Sequence, residues 1–404
     1  MKKYIFFLAA FTLFAAGCTP SAKQDSETPS VPQKGSVPAL VDPSGHFTIL
    51  SWTGVKNSYA EYGFQKLVEA GFNTYLGWYD DISEAEVALT KADAAGIKMI
   101  ISCPELHTDT KNITKAFSAH SSFLAYHIED EPEVSEFDGL GGQIRNIKQY
   151  DTEHPTYVNF YPNWCWGEDI YLNRIRQYAK TVPMDFVSFD NYPCRSVDGV
   201  TVVRKDWYHN LEDIRTLAKE NNVPFWGFAL SLAHKTPECT YPIPTIGELR
   251  LQQFSNLVYG ATGFQYFTTW GHIQDNHITG VYQTIQTVNS ELIGMEPIFV
   301  GADIKYIWHI GSEIPSGCKA LTKAPSGIKH ITTDDGNAVV SYFVNNDKKY
   351  VAIVNKNPNG GMNLDIDFTD PSKAYRYDKN SASAQFQPGV IRLAAGDIAI
   401  FSWQ

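Results

Sequence analysis

The chain has 404 residues, of which 43% are hydrophobic and 19% charged, and its formal net charge is −11 at pH 7. This acidic balance, without a basic stripe along the sequence, argues against a nucleic-acid partner, because such partners are bound by clustered Lys and Arg. The length exceeds what one small core needs and suits a barrel joined to an accessory domain.

The first 18 residues read as an export signal. Lys2 and Lys3 form a basic start, residues 4–14 are apolar but too few to span a membrane, and residues 15–18 (AAGC) resemble the lipobox of bacterial lipoproteins. The resemblance implies that Cys18 becomes lipidated and anchors the protein in the cell envelope, on the periplasmic or the outer side. A plain secretory signal is the alternative. Residues 19–40, rich in Ser, Pro, Lys and Gln, predict a flexible linker.

Residues 41–296 alternate apolar, strand-like runs with amphipathic, helix-like stretches, which predicts a (β/α)8 TIM barrel. The expected strands span residues 46–52, 72–78, 97–103, 123–128, 156–161, 185–190, 224–230 and 263–269. The expected helices span residues 60–70, 83–95, 112–119, 134–150, 170–179, 207–221, 245–259 and 281–295. Ser83 is the expected N-cap of the second helix, and Thr245 with Glu248 forms a capping box at the seventh.

In residues 297–404 the alternating strand and helix pattern gives way to short strand-like runs, which predicts a C-terminal antiparallel β-sandwich. Short β-branched runs separated by Asn, Asp and Gly turns occupy residues 338–345, 350–355, 362–368, 374–377, 390–393 and 398–403. We expect a structural role for this domain rather than carbohydrate binding, because no aromatic cluster stands out among its loops.

The most informative stretch follows the fourth predicted strand, where an apolar run ends in Glu129, Asp130, Glu131 and Pro132. Proline cannot continue a sheet ladder, so the three acids belong at the carboxyl end of the strand, where barrel enzymes place their active sites. Burying acids there is costly unless they have partners or a chemical task. The alternative is a helix N-cap with Glu133 in its first turn.

Other polar and aromatic residues follow the remaining strands, and together they suit a polyhydroxylated ligand: acids for proton transfer, amides for hydroxyl groups and rings for sugar faces. Strict alternation predicts His127, Glu129 and Glu131 on one side of the fourth strand, with Asp130 near them. The candidate ligand-binding residues are Trp52, Tyr75, Trp78, His127, Asn159, Asn163, Trp166, Asn191, Tyr192, His234 and Trp270.

Three short motifs carry a family resemblance. Residues 130–132 (DEP) resemble the Asn-Glu-Pro of clan A glycoside hydrolases, whose Glu is the general acid/base, and residues 185–193 and 260–270 resemble strands six and eight of family 42 β-galactosidase-like enzymes. The resemblance implies a glycoside hydrolase acting on a poly- or oligosaccharide, with Glu131 as acid/base and no cofactor. Two departures stand out: Asp130 replaces the usual Asn, and the seventh strand has no Glu nucleophile.

A second carboxylate is therefore needed, about 5 Å from Glu131 for retention or about 6.5–9.5 Å for inversion. Asp190 is the first candidate, followed by Glu129 or Asp130, whereas Glu238 is expected to be a surface acid. Four readings stay open: this two-carboxylate hydrolase, a substrate-assisted hydrolase, an inactive glycan-binding protein on a degenerate barrel, and a lyase with His127 or Tyr192 as base. No Cys or His spacing indicates a metal, and the sequence leaves the oligomeric state open.

Overall fold

The computed structural model describes residues 45–404 except residues 238 and 335. The expected signal segment, Cys18 and the linker lie outside this part of the chain, as does Glu238. Within the described residues, no helix combines the length and apolar character needed to cross a bilayer.

Eight parallel strands close into a barrel, as the alternating pattern predicts. Each strand pairs with its neighbours in the chain, and the first pairs with the eighth. The strands are apolar along nearly their whole length because the barrel interior covers one face and the helices cover the other. They are Thr48–Trp52, Thr74–Trp78, Lys98–Ser102, Phe123–Asp130, Thr156–Phe160, Val187–Phe189, Phe225–Leu230 and Gly263–Phe267.

The helices surround the barrel close to their expected positions: Ala60–Glu69, Ile82–Ala95, Glu105–Thr108, Thr110–Phe117, Phe137–Lys148, Asn163–Trp166, Glu168–Thr181, Trp207–Asn221, Ile246–Tyr259 and Tyr282–Phe299. The capping box is confirmed, because Thr245 and Glu248 exchange bonds between their side chains and backbone amides. The N-cap prediction for Ser83 is wrong. Asp81, two residues earlier, accepts a bond from the backbone amide of Glu84 at 2.9 Å, which places Ser83 inside the first turn.

Two small antiparallel sheets are inserted after the sixth, seventh and eighth barrel strands, at the carboxyl end of the barrel. One sheet has four strands, Cys194–Val197, Val200–Val203, His234–Lys235 and Thr240–Tyr241, and the other pairs Ile273–Gln274 with His277–Ile278. The sequence does not predict them, because strands of two to four residues with exposed side chains carry no clear period.

The C-terminal β-sandwich is confirmed. A six-stranded sheet contains Asp303–Ile310, Ala338–Asn345, Lys348–Asn355, Ile398–Trp403, Ala374–Tyr377 and Ser383–Gln385, and a three-stranded sheet contains Ile328–Thr333, Met362–Phe368 and Ile391–Leu393. The two sheets share one hydrophobic core. The other face of the larger sheet packs on the barrel helices, with residues such as Val339, Phe343 and Ile400 joining the barrel core.

Candidate active site

The fourth barrel strand runs two residues further than expected, to Asp130, and contains a bulge. Its register against the fifth strand shifts between His127 and Glu129, and a bulge of this kind reverses the side on which the following side chains lie. The predicted alternation of His127, Glu129 and Glu131 therefore does not hold. His127 packs against the ring of Trp52, and Asp130, rather than Glu129, joins the polar cluster at the mouth.

Glu129 is only half-buried, and the charged groups that act on it differ from those around Asp130. Burial raises the pKa of its carboxyl, and the charges of Glu136 and His107 act on it with opposite sign. Its Oε1 accepts a bond from the backbone amide of Asp130 at 3.1 Å. Glu129 therefore stabilises the turn after the strand, and the structure gives it no contact with the pair described next.

Glu131 follows the strand in a left-handed backbone conformation, with φ of 55°. Such a conformation costs a non-glycine residue on the order of 1–3 kcal/mol and is concentrated at functional sites. A bond from the Glu131 amide to the carbonyl of Asn159, at 2.8 Å, holds the residue in place. The Glu131 carboxyl lies close enough to Asp190, at the end of the sixth strand, for the two groups to shift each other's pKa.

Three acids thus meet at the mouth, and their protonation states differ. Burial raises the pKa of Glu131 well above its ordinary value, and the charges of Asp190 and Asp130 raise it further. Burial also raises the pKa of Asp190, but hydrogen bonds from Glu131, Asn159 and Tyr192 lower it in part. Burial, then the charge of Asp190, raises the pKa of Asp130 to about 7. Of the pair, Glu131 therefore keeps its proton to higher pH, and Asp190 ionises first.

Asn159 holds the two aspartates in place. Its Nδ2 donates to Oδ1 of Asp130 at 3.1 Å and to Oδ1 of Asp190 at 3.2 Å. Its own Oδ1 accepts a bond from the hydroxyl of Ser188 at 2.8 Å, so the orientation of the amide is fixed. Ser188 in turn accepts a bond from Gln265 on the eighth strand at 2.9 Å. The sequence analysis missed Ser188 and Gln265, because a lone Ser or Gln inside an apolar strand gives no signal of its own.

An aromatic wall faces these acids. Trp52 is buried, and its ring meets that of Trp78 edge-on with 5.3 Å between the ring centroids. Trp78 lies at the rim, 44% exposed, and its indole N–H donates to Nδ1 of His127 at 3.2 Å. Since burial lowers the pKa of His127 to about 3, the ring is neutral and carries its proton on Nε2. That N–H has no hydrogen-bond partner among the described residues.

The opposite side of the mouth is built by the small four-stranded sheet. The Tyr192 hydroxyl lowers the pKa of the Asp190 carboxyl, and the Tyr192 ring packs between Phe267, at 5.6 Å, and Tyr241, at 6.1 Å. His234 stacks on Tyr241 with 4.5 Å between the ring centroids. The sheet thus brings Tyr241, a residue that the sequence did not single out, to the site. Trp270, 44% exposed, lies on the rim above the first strand.

Two of the residues expected to bind ligand are buried away from this cluster. Tyr75 packs against Phe64 of the first helix, and its hydroxyl accepts bonds from the backbone amides of Gly54 and Val55 at 3.1 and 2.9 Å. It therefore holds the loop after the first strand. The Trp166 ring is buried against the ring of Tyr161.

Two expected amides are also used within the protein. The backbone amide of Asn163 donates to Oδ1 of Asn210 at 3.1 Å, and the side chain of Asn191 donates to the same oxygen at 2.9 Å. Both are buried. Asn163 and Asn191 therefore tie the loops after strands five and six to a barrel helix.

The carboxylates of the mouth come from the fourth and sixth strands. The seventh strand, Phe225–Leu230, is buried throughout and carries no acid. Among the described residues, one trio of possible metal ligands occurs, Glu212, His309 and Cys318, with donor atoms within 4.8 Å of one another. The hydroxyl of Tyr259 already bonds to Nε2 of His309 there at 2.9 Å.

Comparison with known proteins identifies the fold. No family model and no curated protein sequence matches the chain. A Bacteroides fragilis protein named as a candidate alpha-galactosidase is similar in structure, with 10% identity, 89% of this chain and 79% of that chain covered, and a TM-score of 0.52. The GH99 endo-alpha-mannosidase of Bacteroides thetaiotaomicron covers 55% of this chain and 83% of its own, with 11% identity and a TM-score of 0.39. The first likeness shows a shared (β/α)8-barrel fold.

Fold and site together define the class: a (β/α)8-barrel protein with an acid pair at the carboxyl end of its strands. The chain belongs to the same broad architecture as the structure named as an alpha-galactosidase. At 10% identity this likeness carries the fold alone, so the argument for function depends on the residues of this chain.

Proposed function

We propose that the protein is a glycoside hydrolase in which Glu131 is the general acid and Asp190 its carboxylate partner. The burial of Glu131 beside Asp190 and Asp130 at the barrel mouth, which raises its pKa, supports this proposal. A general acid must keep its proton at the working pH, and burial beside like charges is how proteins achieve this with a carboxyl group. The exposed indole ring of Trp78 on the rim suits the face of a sugar ring.

The placement of the carboxyl groups bears on the mechanism. A retaining pair needs a second carboxylate at roughly 5 Å and an inverting pair one at roughly 6.5–9.5 Å, and the seventh strand carries no acid that could serve. We assign Asp190, whose charge acts on Glu131, to charge stabilisation rather than to attack. The nucleophile then comes from elsewhere, and a 2-acetamido group on the substrate is the one that requires no further carboxylate. We therefore propose substrate-assisted hydrolysis.

In this mechanism Glu131 gives its proton to the glycosidic oxygen as the bond from that oxygen to C1 breaks. The acetamido carbonyl oxygen forms a bond to C1, and the resulting positive charge is stabilised by ionised Asp190. Glu131, now ionised, takes a proton from a water molecule. That water attacks C1, and the bond between C1 and the acetamido oxygen breaks, which opens the ring that this bond had closed. The configuration at C1 is retained, and Glu131 ends the cycle protonated.

The test compares 4-nitrophenyl 2-acetamido-2-deoxyglycosides with the matching 2-hydroxy glycosides. We expect turnover of the acetamido series only, and losses in kcat of about 10²-fold or more in Glu131→Gln and Asp190→Asn, the usual range for general acid catalysis. Glu86→Gln, on an exposed helix face, is the matched control. An active Glu131→Gln variant contradicts the acid assignment. Azide rescue of Asp190→Asn would instead make Asp190 the nucleophile.

A second candidate, an inactive glycan-binding protein, is favoured by the absence of a carboxylate in the seventh strand. Binding of the same sugars without turnover by the unaltered protein would select it. The lyase alternative has less support, because the Nδ1 lone pair of His127 is taken by Trp78 and burial raises the pKa of Tyr192 well above its ordinary value. Both residues are therefore poor bases, and a product without ultraviolet absorbance would exclude this alternative.

We also propose that the protein is anchored to the cell envelope through a lipid on Cys18. Residues 1–18 carry this proposal through their resemblance to a lipoprotein signal. Metabolic labelling with palmitate should mark the unaltered protein and not a Cys18→Ser variant. Labelling of both proteins would contradict the anchor.

A further inference from the structure

A cavity of about 690 Å³ lies between the barrel and the β-sandwich. The barrel contributes Arg204 and Tyr208 to its wall, and the sandwich contributes Lys356, Asn357 and Met362. The volume lies within the range of sites that bind small ligands. The wall combines apolar and polar groups, which suits a ligand with both a ring face and a charged substituent.

Lys356 is a half-buried cation whose nearest polar neighbour is a neutral ring rather than a carboxylate. Its Nζ lies 3.2 Å from Nδ1 of His309 and 4.8 Å from the centre of the Tyr208 ring. His309 accepts at Nδ1, and burial, then the charge of Lys356, lowers its pKa to about 2, so it is neutral. Among the described residues, no carboxylate is one of the groups that shift the pKa of Lys356. Burial lowers the pKa of Lys356 to about 8, so it remains charged at neutral pH.

The other cations around the cavity are paired with carboxylates, and the carboxylate of Asp334 on the same wall accepts a bond from the backbone amide of Asn363 at 3.1 Å. The pairs are Lys205 with Glu313 at 3.7 Å, Arg204 with Asp206 at 3.2 Å, and His209 with Glu168 at 3.0 Å. Lys356 is therefore the charge that the protein leaves uncompensated at this wall. An unpaired buried charge costs free energy, and an anionic ligand in the cavity would offset that cost.

We propose that this cavity binds an anionic saccharide, with Lys356 as the counter-ion of its carboxylate or sulfate group. The claim that the ligand is an anion depends on the cavity alone. The claim that it is a saccharide rests on the proposed function. Arg204 links the cavity to the barrel mouth, because its guanidinium lies 4.7 Å from the ring of Trp164, which follows the fifth strand.

Isothermal titration calorimetry on the unaltered protein tests the proposal with methyl β-D-glucuronide, glucose 6-sulfate and methyl β-D-glucoside. We expect one site, with an affinity for at least one charged sugar that is tenfold or more above that of the neutral sugar. The tighter of the two charged probes identifies the group, carboxylate or sulfate. Equal affinity for charged and neutral sugars, or no binding of any probe, would overturn the proposal.

Two variants locate the site. Lys356→Met keeps the apolar stem and should weaken binding of the charged sugar at least tenfold, whereas Lys348→Met, exposed on the same sheet, should leave it unchanged. Asn357→Asp places a negative charge on the cavity wall and keeps the bond that its Oδ1 accepts from the amide of Asn359 at 2.9 Å. Asn357→Asp should also weaken binding of the charged sugar at least tenfold. If Lys356→Met does not fold, this variant alone tests the location of the anion site.

The cavity and the proposed active site can fail separately. Glu131→Gln should bind the charged sugar in the cavity as tightly as the unaltered protein does. If Glu131→Gln remains active as a hydrolase, the proposed function falls, while charge-selective binding that depends on Lys356 still supports the anion site. Unchanged binding in both Lys356→Met and Asn357→Asp would overturn the anion site, whatever the hydrolase assay shows.

Discussion

Replacing Asp130 by a neutral residue should stabilise the protein. Burial, and then the charge of Asp190, raises the pKa of Asp130 from 3.8 to about 7. Between these two pH values the folded protein keeps a proton that the unfolded chain has released, so the free energy of unfolding falls as the pH rises. A difference of about three pKa units corresponds to roughly 4 kcal/mol above pH 7. Asn has the same shape and keeps the bond from Asn159, so Asp130→Asn should recover much of this free energy.

Thermal unfolding of Asp130→Asn and of the unaltered protein, at pH 8 and at pH 4.5, tests this reasoning. At pH 8 the variant should have a Tm higher by several degrees, and the difference should shrink towards zero at pH 4.5, where the unaltered Asp130 is protonated. Asp80→Asn, an exposed acid, is the control and should show no such pH dependence. A variant that is no more stable than the unaltered protein at pH 8 would refute the account of the acid cluster.

Three further substitutions test separate parts of the structure. Tyr192→Phe removes the hydroxyl that lowers the pKa of Asp190, so the acid limb of the profile of kcat/KM against pH should move to higher pH; an unmoved limb would contradict that interaction. Trp78→Phe removes the N–H that orients His127 and should raise KM severalfold with a smaller change in kcat, whereas an unchanged KM would exclude Trp78 from the sugar site. Thr245→Ala removes a helix cap and should cost about 1 kcal/mol in urea unfolding; no loss would make the capping box irrelevant to stability.

The barrel could be predicted from the sequence because its strands are buried on both faces. Each strand is a continuous apolar run, and Gly and polar residues separate it from the next helix. The sandwich is predicted from short β-branched runs separated by Asn, Asp and Gly turns, but that pattern misses Asp303–Ile310 and Ile328–Thr333. In the first of these strands Lys305 and Tyr306 are exposed next to one another where the register shifts, so the strand does not form an uninterrupted β-branched run.

The candidate site was predicted only in part, and the errors have physical causes. Asp130, Glu131 and Asp190 do meet, because strands four and six end at the same rim. Glu129 does not join them, because a bulge changes the side on which it lies, and a bulge leaves no mark in a single sequence. Asn163 bonds to Asn210, which lies 47 residues further along the chain. Sequence patterns reveal local periodicity, but they do not show which distant partner satisfies a buried amide.

The most direct test of the central claim is a ¹³C NMR titration of the glutamate side-chain carboxyl groups. The resonance of Glu131 is the one that disappears in Glu131→Gln. The account predicts that this resonance stays at the position of a protonated carboxyl group through pH 7, because burial and the charges of Asp190 and Asp130 hold its proton. Titration of that resonance at the ordinary pKa of a glutamate would show that Glu131 is ionised at neutral pH, and it would contradict the proposal of a proton-sharing acid pair.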